Sequence, residues 1–462
     1  MSEPKPVRGS FRDPSGFVYE RDGTLYRQVN RSFAEAFDLL YASGLYDALM
    51  GAGLLIPHRE VPADLAATGE AYRVLQPERV HLVSYPYEWC FGELKDAALT
   101  TLRSGRLALD HGMTLRDASA YNVQFHAGRP VLIDSLSFEP LREGEPWQAY
   151  AQFCQHFLAP LALMSGRDVR LSQLLRAHLD GVPLDLATRL LPRRSRLKPS
   201  VWLHLVAHGR AQARHGADGG TGAVGSGRFS LRAFRGLIDS LERAVTALDW
   251  EPPPSVWADY YGDCRTYPGE ALQRKEQLVS TFLDDVGPGD VWDLGANTGR
   301  FSRLASSRGI FTASIDSDPG VVERSYREAL AGGDRSLLPL VMDVTNPSPA
   351  IGWGNEERMT LAQRGPADLV MALALLHHLA IGNNVPLELV AGFLAHVGRS
   401  LVVEWVPKED PQVQEMLSTR RDVFAGYRRE GFEDAFGERF QILRREELPG
   451  SDRVLYLMRR RG

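Results

Sequence analysis

The sequence predicts an α/β fold for the C-terminal half of the chain, built on a doubly wound parallel sheet. Between about residues 290 and 405, short apolar runs that end in an acid alternate with amphipathic helical patterns. The first run, residues 291–294, breaks into Gly295 and Gly299 and resumes as a helix. A strand, a tight glycine turn and a helix form a backbone cradle that a ligand can approach closely.

The acid before this turn indicates the kind of ligand that the cradle holds. Asp293 would repel a diphosphate and attract a cationic amine. S-adenosylmethionine carries an amino-acid ammonium group, so it fits Asp293 and Gly295 better than NAD does.

Four further strands follow the cradle. Asp316 ends the second strand, where an acid can accept hydrogen bonds from both ribose hydroxyls. Asp343 and Val344 end the third, where they suit an adenine amino group with an apolar wall. Ligands bind at the carboxyl ends of such strands. The predicted strands are residues 311–315, 338–342, 368–375 and 400–403, and the predicted helices include residues 321–330 and 387–394.

Residues 257–462 resemble a class I S-adenosylmethionine-dependent methyltransferase. Residues 293–299 match the first motif of that family, residues 315–316 its ribose-binding acid, residues 342–344 its adenine motif and residues 368–378 its fourth motif. The first motif alone would also fit other doubly wound domains, including dehydrogenases. The resemblance implies S-adenosylmethionine as the cofactor. The cofactor-binding residues that it implies are Asp293, Gly295, Ala296, Asn297, Gly299, Asp316, Ser317, Asp343, Val344 and Ala372.

Three side chains are candidates for acid–base catalysis of methyl transfer. His377 and His378 follow the fourth strand at the mouth of the predicted crevice, and Glu404 ends the fifth strand beside them. Either histidine could take a proton from the acceptor, and a packing role is the alternative for both. The sequence has no Asn-Pro-Pro-Tyr motif after the fourth strand, which weighs against the common amide- and adenine-N-methylating groups. No metal site is predicted.

The N-terminal part carries a second pattern. Asp117 and Asn122 keep the acid-to-amide spacing of a protein-kinase catalytic loop, and a short hairpin after them ends in Asp134. Residues 16–140 therefore resemble a reduced kinase-like α+β domain. The resemblance implies that Asp117 accepts a substrate proton, and that Asn122 and Asp134 hold magnesium. It also implies a hairpin at residues 17–29, a helix at 32–49, a strand at 80–85 and a helix at 94–111.

Three departures from the kinase pattern favour a scaffold that binds substrate or a nucleotide over an active phosphotransferase. The chain has no glycine-rich loop, and Arg27 stands nearest to the position of the usual strand lysine. Ser135 and Leu136 follow Asp134 in place of the usual Phe-Gly pair. An active kinase and a coincidental pattern in an α+β domain are the alternatives.

We predict four segments along the chain. Residues 1–144 form the kinase-like domain, residues 145–215 its helical extension, residues 216–227 a glycine-rich linker and residues 228–462 the methyltransferase domain. An aromatic-rich stretch before the first strand of the sheet either covers the cofactor or caps the sheet edge. Its aromatic residues are Trp257, Tyr260, Tyr261 and Tyr267.

Composition limits the class of protein. A net charge of −5 argues against an obligate nucleic-acid binder, so we expect no DNA partner. Cys90, Cys154 and Cys264 fit neither a disulfide framework nor a zinc-ligand spacing. The sequence has neither the apolar core of a signal peptide nor a run of about eighteen apolar residues that could span a membrane. We therefore expect a cytoplasmic protein.

The favoured hypothesis is a methyltransferase whose N-terminal domain recognises a small-molecule or glycan acceptor. The pairing of the two halves resembles bacterial nodulation-type methyltransferases. A bifunctional kinase and methyltransferase is one alternative. A non-catalytic protein that keeps the cofactor pocket as a structural or sensory site is another, and the acids and glycines of the cradle favour an enzyme over it.

Overall fold

Two units, divided by their internal contacts, make up the chain. The first comprises Met1–Glu251 with Ile351–Arg358, and the second comprises Pro252–Ala350 with Met359–Gly462. The structure, a computed structural model, describes residues 2–196, 198–207, 230–254, 269–418 and 421–462. The predicted linker at 216–227 and the aromatic residues of the stretch from 257 to 267 lie outside the described residues.

The first unit begins with an antiparallel sheet and a helix that covers it. Its strands are β1 (Lys5–Pro6), β2 (Gly16–Arg21), β3 (Thr24–Asn30), β4 (His58–Val61) and β5 (Ala71–Pro77), in the spatial order β1-β2-β3-β5-β4. The helix α1 (Ala34–Ala42) packs Phe37 in one apolar cluster with Val29 and Leu75 of the sheet. The predicted hairpin corresponds to β2 and β3, joined at Asp22 and Gly23, which both have positive φ.

Two predictions for this region were wrong. The predicted helix at 32–49 is two helices, α1 and α2 (Leu45–Gly51), because Gly44 between them takes the left-handed conformation at a φ of +77°. The predicted strand at 80–85 has no regular secondary structure. There the side chain of Gln124 satisfies the backbone of Ser84, accepting from its N–H at 2.9 Å and donating to its carbonyl at 2.8 Å.

A long helix and short β-hairpins complete the core of the first unit. The helix α3 (Phe91–Asp110) is followed by β6 (Met113–Leu115), β7 (Val123–His126), β8 (Arg129–Leu132) and β9 (Phe138–Pro140). β7 pairs with β8, and β6 pairs with β9. The residues of the kinase-like pattern lie between β6 and β9. The helix expected at 94–111 and the hairpin expected after Asn122 are therefore both present.

Short helices follow in the described part of residues 145–207, where a helical extension was predicted. They are α4 (Tyr150–Phe153), α5 (Ala159–Gly166), α6 (Leu174–Ala177), α7 (Leu184–Leu190), α8 (Arg193–Arg196) and α9 (Pro199–Val201), with π-helical turns at Cys154–Leu158 and Trp202–Ala207. None of the described helices is long and apolar enough to cross a membrane.

The helix α10 (Leu231–Thr246) belongs to the first unit, which differs from the predicted domain start at residue 228. Its apolar face packs against α3. Lys95 of α3 donates to the carbonyl of Leu248 at 2.7 Å, and Arg106 of α3 pairs with Glu242. The amphipathic pattern predicted this helix but not that it packs against α3. Because of this packing, the boundary between the two units falls after Glu251 and not at residue 228.

A segment from the C-terminal half, Ile351–Arg358, also packs in the first unit. The guanidinium of Arg12 donates to Glu357 at 2.7 Å, and the Glu357 side chain is only 2% exposed. The Arg358 guanidinium lies over the Tyr121 ring, 4.2 Å from its centroid. We call this segment the strap. It covers the loop that carries the kinase-like pattern.

The second unit is built on a seven-stranded sheet. Its strands are β10 (Asp290–Leu294), β11 (Phe311–Asp316), β12 (Leu337–Val341), β13 (Ala367–Ala372), β14 (Gly398–Trp405), β15 (Phe440–Glu447) and β16 (Val454–Arg460). Their spatial order is β12-β11-β10-β13-β14-β16-β15, and neighbours among β10 to β14 are parallel. β16 is antiparallel to both neighbours. The predicted doubly wound α/β class is confirmed.

Helices connect these strands. They are α11 (Gly269–Val286), α12 (Ser302–Ser306), α13 (Pro319–Gly332), α14 (Leu361–Arg364), α15 (Leu387–Val397), α16 (Pro411–Ser418) and α17 (Arg429–Gly437). α11 contributes Val279 and Phe282 to a buried core with Val291 and Leu369 of the sheet. The order of the strands reverses beside β10, which is where doubly wound sheets open a crevice for ligands.

Arg12→Met should destabilise the first unit by about 1–3 kcal/mol, because it leaves the buried carboxylate of Glu357 without its cation. Hydrogen–deuterium exchange should speed up in the strap and around Tyr121, while β10 to β13 keep their protection. Arg8→Met is the matched control, because the Arg8–Glu356 pair is exposed, at 67% and 52%, and should matter little. Equal effects of the two substitutions would contradict the anchoring role of Arg12.

Candidate functional site

The turn after β10 has the open backbone that the sequence predicts. Gly295 and Gly299 adopt φ values of +74° and +81°, and Asn297 between them lies at +54°. The N–H groups of Gly295 and Ala296 both donate to the carbonyl of Ile315, at 2.9 and 3.0 Å. These bonds hold the turn against the end of the neighbouring strand β11.

The two glycines of the turn serve different purposes. A Cβ on Gly295 would lie 3.1 Å from Leu375, in the cleft above the turn. A Cβ on Gly299 would lie 2.7 Å from the hydroxyl of Ser325, against α13. Gly295 therefore keeps the cleft open, whereas Gly299 lets a helix pack closely on the turn.

A cleft opens at the carboxyl ends of β10 to β13. Seven of its lining residues were predicted from the sequence: Gly295, Asn297, Asp316, Ser317, Asp343, Val344 and His378. Eight others were not in the predicted site: Asp318, Met342, Thr345, Leu373, Ala374, Leu375, Leu379 and Asn383. Six predicted residues do not line it: Asp293, Ala296, Gly299, Ala372, His377 and Glu404.

The cleft residues after β13 were missed because the fourth predicted strand was too long. The strand was expected to reach residue 375, but β13 ends at Ala372. The chain then turns through Ala374, at a φ of +51°, and brings its next residues into the cleft. An apolar run by itself does not distinguish a strand from such a turn, so no sequence signal marks this end.

The two acids at the strand ends are held in place by backbone N–H groups. Asp316 accepts from the N–H of Asn297 at 2.8 Å and from the N–H of Asp318 at 2.9 Å. Asp343 accepts from the backbone and the hydroxyl of Thr345, at 2.8 and 2.7 Å. Burial raises the pKa of Asp316, against the effect of its hydrogen bonds. Both carboxylates are pre-oriented at the cleft.

Asp293 lies two residues before the cleft, with only 2% of its surface exposed. The hydroxyl of Ser302 donates to its carboxylate at 2.6 Å. Burial raises the pKa of Asp293 to about 7, although Ser302 and the nearby Lys275 favour the charged form. Asp293 is therefore a buried carboxyl group just before the glycine turn and does not line the cleft.

Glu404, predicted as a possible catalytic residue, is fully buried in a chain of ion pairs. It accepts from Lys275 at 2.7 Å and lies 3.7 Å from Arg453. Arg453 in turn donates to Asp410 at 2.7 Å. The carboxylate of Glu404 is thus engaged by two cations, and its structural role is to anchor α11 to the sheet. This engagement favours a structural role for Glu404 over that of a catalytic base.

Lys275 was not among the predicted site residues, although the sequence carries a signal for it. It occupies the apolar face of α11, between Ala271 and Val279, which are both fully buried. A lysine in the middle of an apolar stripe must find a carboxylate, because an isolated buried charge is costly.

The two adjacent histidines differ in access to the cleft. His378 lines the cleft, and burial followed by the nearby Arg453 lowers its pKa. His377 is fully buried, and neither of its ring nitrogens has a hydrogen-bond partner among the described residues. Burial and the charges around it lower its pKa well below the usual value. Both rings are neutral at physiological pH, and only that of His378 lies in the cleft.

The three residues of the kinase-like pattern are engaged in hydrogen bonds within the first unit. Asp134 pairs with Arg27 and accepts from the N–H of Leu136 at 2.8 Å. Asp117 accepts from the N–H of Ser119 at 2.9 Å. The Asn122 side chain donates to the hydroxyl of Ser137 at 3.2 Å. Asp117 braces its own loop, Asn122 joins that loop to Ser137, and Asp134 is joined to Arg27 of β3.

The second unit fits S-adenosylmethionine. The glycine turn leaves a path for the ligand that a Cβ on Gly295 would narrow. Carboxylates of Asp316 and Asp343 line the cleft where ribose hydroxyls and an adenine amino group need acceptors. Asp293, once ionised, would supply negative charge for the ammonium of the methionine end.

Comparisons with known proteins give one full-length relative. No protein-family model matches the chain. Nodulation protein NoeA of Rhizobium meliloti (strain 1021) is 36% identical over 465 residues, which cover 99% of this chain and 97% of that protein.

Solved structures match over less of the chain. Magnesium protoporphyrin IX methyltransferase (ChlM) from Synechocystis PCC 6803, with bound SAH, is 20% identical, with coverages of 41% of this chain and 84% of that one and a TM-score of 0.29. The bifunctional kinase-methyltransferase WbdD is 18% identical, with coverages of 46% and 45% and a TM-score of 0.29. PH0226 from Pyrococcus horikoshii OT3 is 15% identical, with coverages of 44% and 99% and a TM-score of 0.31.

Asp293→Asn should remove a pH dependence of stability. The pKa of Asp293 is raised from 3.8 to about 7, so the folded chain holds a proton there that the unfolded chain releases. This contribution is complete below about pH 4 and is lost by about pH 7, a change of up to ~4 kcal/mol. Urea titrations should show the decline in the unsubstituted protein and a flatter profile in the variant. Equal slopes would contradict the buried protonated form.

Magnesium with ATP should shift the melting temperature by less than about 1 °C, because a ligand stabilises only a state that it binds. Asp134 is already paired with Arg27, and Asp117 and Asn122 are engaged within their own loop. Differential scanning fluorimetry with and without magnesium-ATP measures the shift. A clear ATP-dependent shift that disappears in Asp134→Asn would show that the first unit binds nucleotide.

Proposed function

The chain belongs to the family of the nodulation protein NoeA, and we propose that it transfers a methyl group from S-adenosylmethionine to a small-molecule or glycan acceptor. The observation that carries this proposal is the cleft at the carboxyl ends of β10 to β13. It combines an open glycine turn with two oriented carboxylates, Asp316 and Asp343. Asp293 adds a buried carboxyl group just before the same turn.

The cofactor supplies a methyl group activated by a positively charged sulfur. The chain's own part would be to align the acceptor with this methyl group and to exclude water. Leu373, Leu375 and Leu379 give the cleft an apolar wall on the side of β13.

His378 is the general base that we propose for acceptors that must lose a proton. Among the predicted catalytic residues it alone lines the cleft. Its lowered pKa keeps a ring nitrogen unprotonated at neutral pH, so that nitrogen can accept the proton of a hydroxyl or amine acceptor. His377 and Glu404 support the position of this region from within the core.

The first unit is the acceptor-binding or scaffold module in this proposal. Its kinase-like loop is braced by internal hydrogen bonds and covered by the strap, so its conformation is set without a nucleotide. Phosphotransfer in addition to methyl transfer is the alternative for this unit. A cofactor-binding protein without turnover is the alternative for the whole chain, and a labelled-methyl screen of small-molecule and glycan extracts separates it from an enzyme.

His378→Gln and Asp316→Ala should separate chemistry from binding. With an acceptor found in that screen, His378→Gln should lower kcat by about 10²–10⁴ while cofactor affinity is retained. Asp316→Ala should weaken cofactor binding by about 1–3 kcal/mol, because the ribose loses its acceptor. Calorimetry measures binding, and transfer of labelled methyl measures turnover. Wild-type cofactor affinity in Asp316→Ala would contradict the assigned ribose contact.

A further inference from the structure

A surplus of negative charge lies beneath the cleft of the second unit. Counted over the described residues of the network, there are two buried cations and three carboxylates. The cations are Lys275, 1% exposed, and Arg453, fully buried; the carboxylates are Glu404, Asp410 and Asp293. Lys275 pairs with Glu404 at 2.7 Å, and Arg453 pairs with Asp410 at 2.7 Å. Asp293 is the carboxylate left over.

In the described structure, Lys275 forms its ion pair with Glu404 and Arg453 forms its ion pair with Asp410. The carboxylate of Asp293 accepts a hydrogen bond from the Ser302 hydroxyl, at 2.6 Å, and that hydroxyl carries no charge. Lys275 is near enough to favour the charge of Asp293 but is committed to Glu404, and its ammonium lies 4.6 Å from the centre of the Phe301 ring. The net charge of the five groups is therefore zero only when Asp293 holds a proton.

Among the described residues, the other charged group that acts on Asp293 adds no positive charge. Asp316, at the end of the neighbouring strand, is another carboxylate and disfavours the charged form. His377 and His378 remain neutral because burial and nearby cations lower their pKa values. In an interior of low dielectric constant, an added cation within several ångströms would be attracted strongly to the surplus carboxylate.

We propose that Asp293 is a proton-linked specificity residue, which holds a proton when the cleft contains no cation and releases it when the ammonium of the cofactor's amino-acid end binds. The inference rests on the proposed function, since it takes S-adenosylmethionine and its demethylated product as the ligands. Lys275 and Arg453 neutralise Glu404 and Asp410 and hold them in position. The carboxylate of Asp293 is then the one that the ammonium of the ligand neutralises. Specificity for the amino-acid end then follows from buried charge as well as from shape.

Two ligands test this proposal in the full-length protein. S-adenosylhomocysteine carries the ammonium group, and 5′-methylthioadenosine keeps the nucleoside but lacks the amino-acid end. Calorimetry in two buffers of different ionisation enthalpy counts the protons released. At about pH 6, S-adenosylhomocysteine should release roughly one proton and 5′-methylthioadenosine none, and the affinity for S-adenosylhomocysteine alone should fall about tenfold per pH unit below this.

Two substitutions remove the proton release by different routes. Asp293→Asn has no proton to lose, so S-adenosylhomocysteine should bind more weakly and without pH dependence. Glu404 lies outside the cleft, and Glu404→Gln removes one buried negative charge. The ammonium of Lys275 can then neutralise the carboxylate of Asp293, which therefore has no proton to release when the ligand binds. Both variants should bind 5′-methylthioadenosine within about threefold of the unsubstituted protein, a difference of about 0.7 kcal/mol. That binding also shows that a variant is folded.

The outcomes separate this inference from the function on which it rests. Proton release with S-adenosylhomocysteine that is absent with 5′-methylthioadenosine and absent in both variants supports the inference. Binding of both ligands with equal proton release overturns the inference and leaves the methyltransferase proposal standing. If neither ligand binds the unsubstituted protein, both proposals fail.

Discussion

The turn after β10 is the constraint on which the site of the second unit depends. Its N–H groups are pinned to the carbonyl of Ile315, and the N–H of Asn297 donates to Asp316, so the turn and the end of β11 hold each other in place. Three of its residues adopt positive φ. At Gly295 a side chain would also meet Leu375, because a Cβ there would lie 3.1 Å from it. The cleft is therefore formed by backbone, and side chains supply its acids.

The buried ion pairs beneath this turn serve electrostatics more than stability. Removing two charges from water costs about as much as their attraction returns, so a buried pair is weak evidence for a stable core. The chain nevertheless buries Lys275, Glu404 and Arg453 almost completely. Their arrangement joins α11, β14 and the start of β16 near the cleft. It also determines the charge that a ligand experiences there.

In the first unit, the side chains of the kinase-like pattern bind to other residues of the chain. Arg27 and Asp134 form an ion pair, in which both side chains are mostly buried. The strap places Arg358 over Tyr121, close to the loop of Asp117. A fold of this type can present a surface to an acceptor without binding a nucleotide, because function resides in the site and not in the fold.

The sequence by itself determined the parallel sheet, the glycine turn and the acids at the strand ends, because strand periodicity, glycine conformation and strand-end position are local properties. Tertiary structure alone decided the partners. Glu404 meets Lys275 across 129 residues, and Arg27 meets Asp134 across 107. Tertiary packing also decided that the strap and α10 belong to the first unit. A local pattern shows which face of a segment is apolar or charged, but packing decides what that face meets.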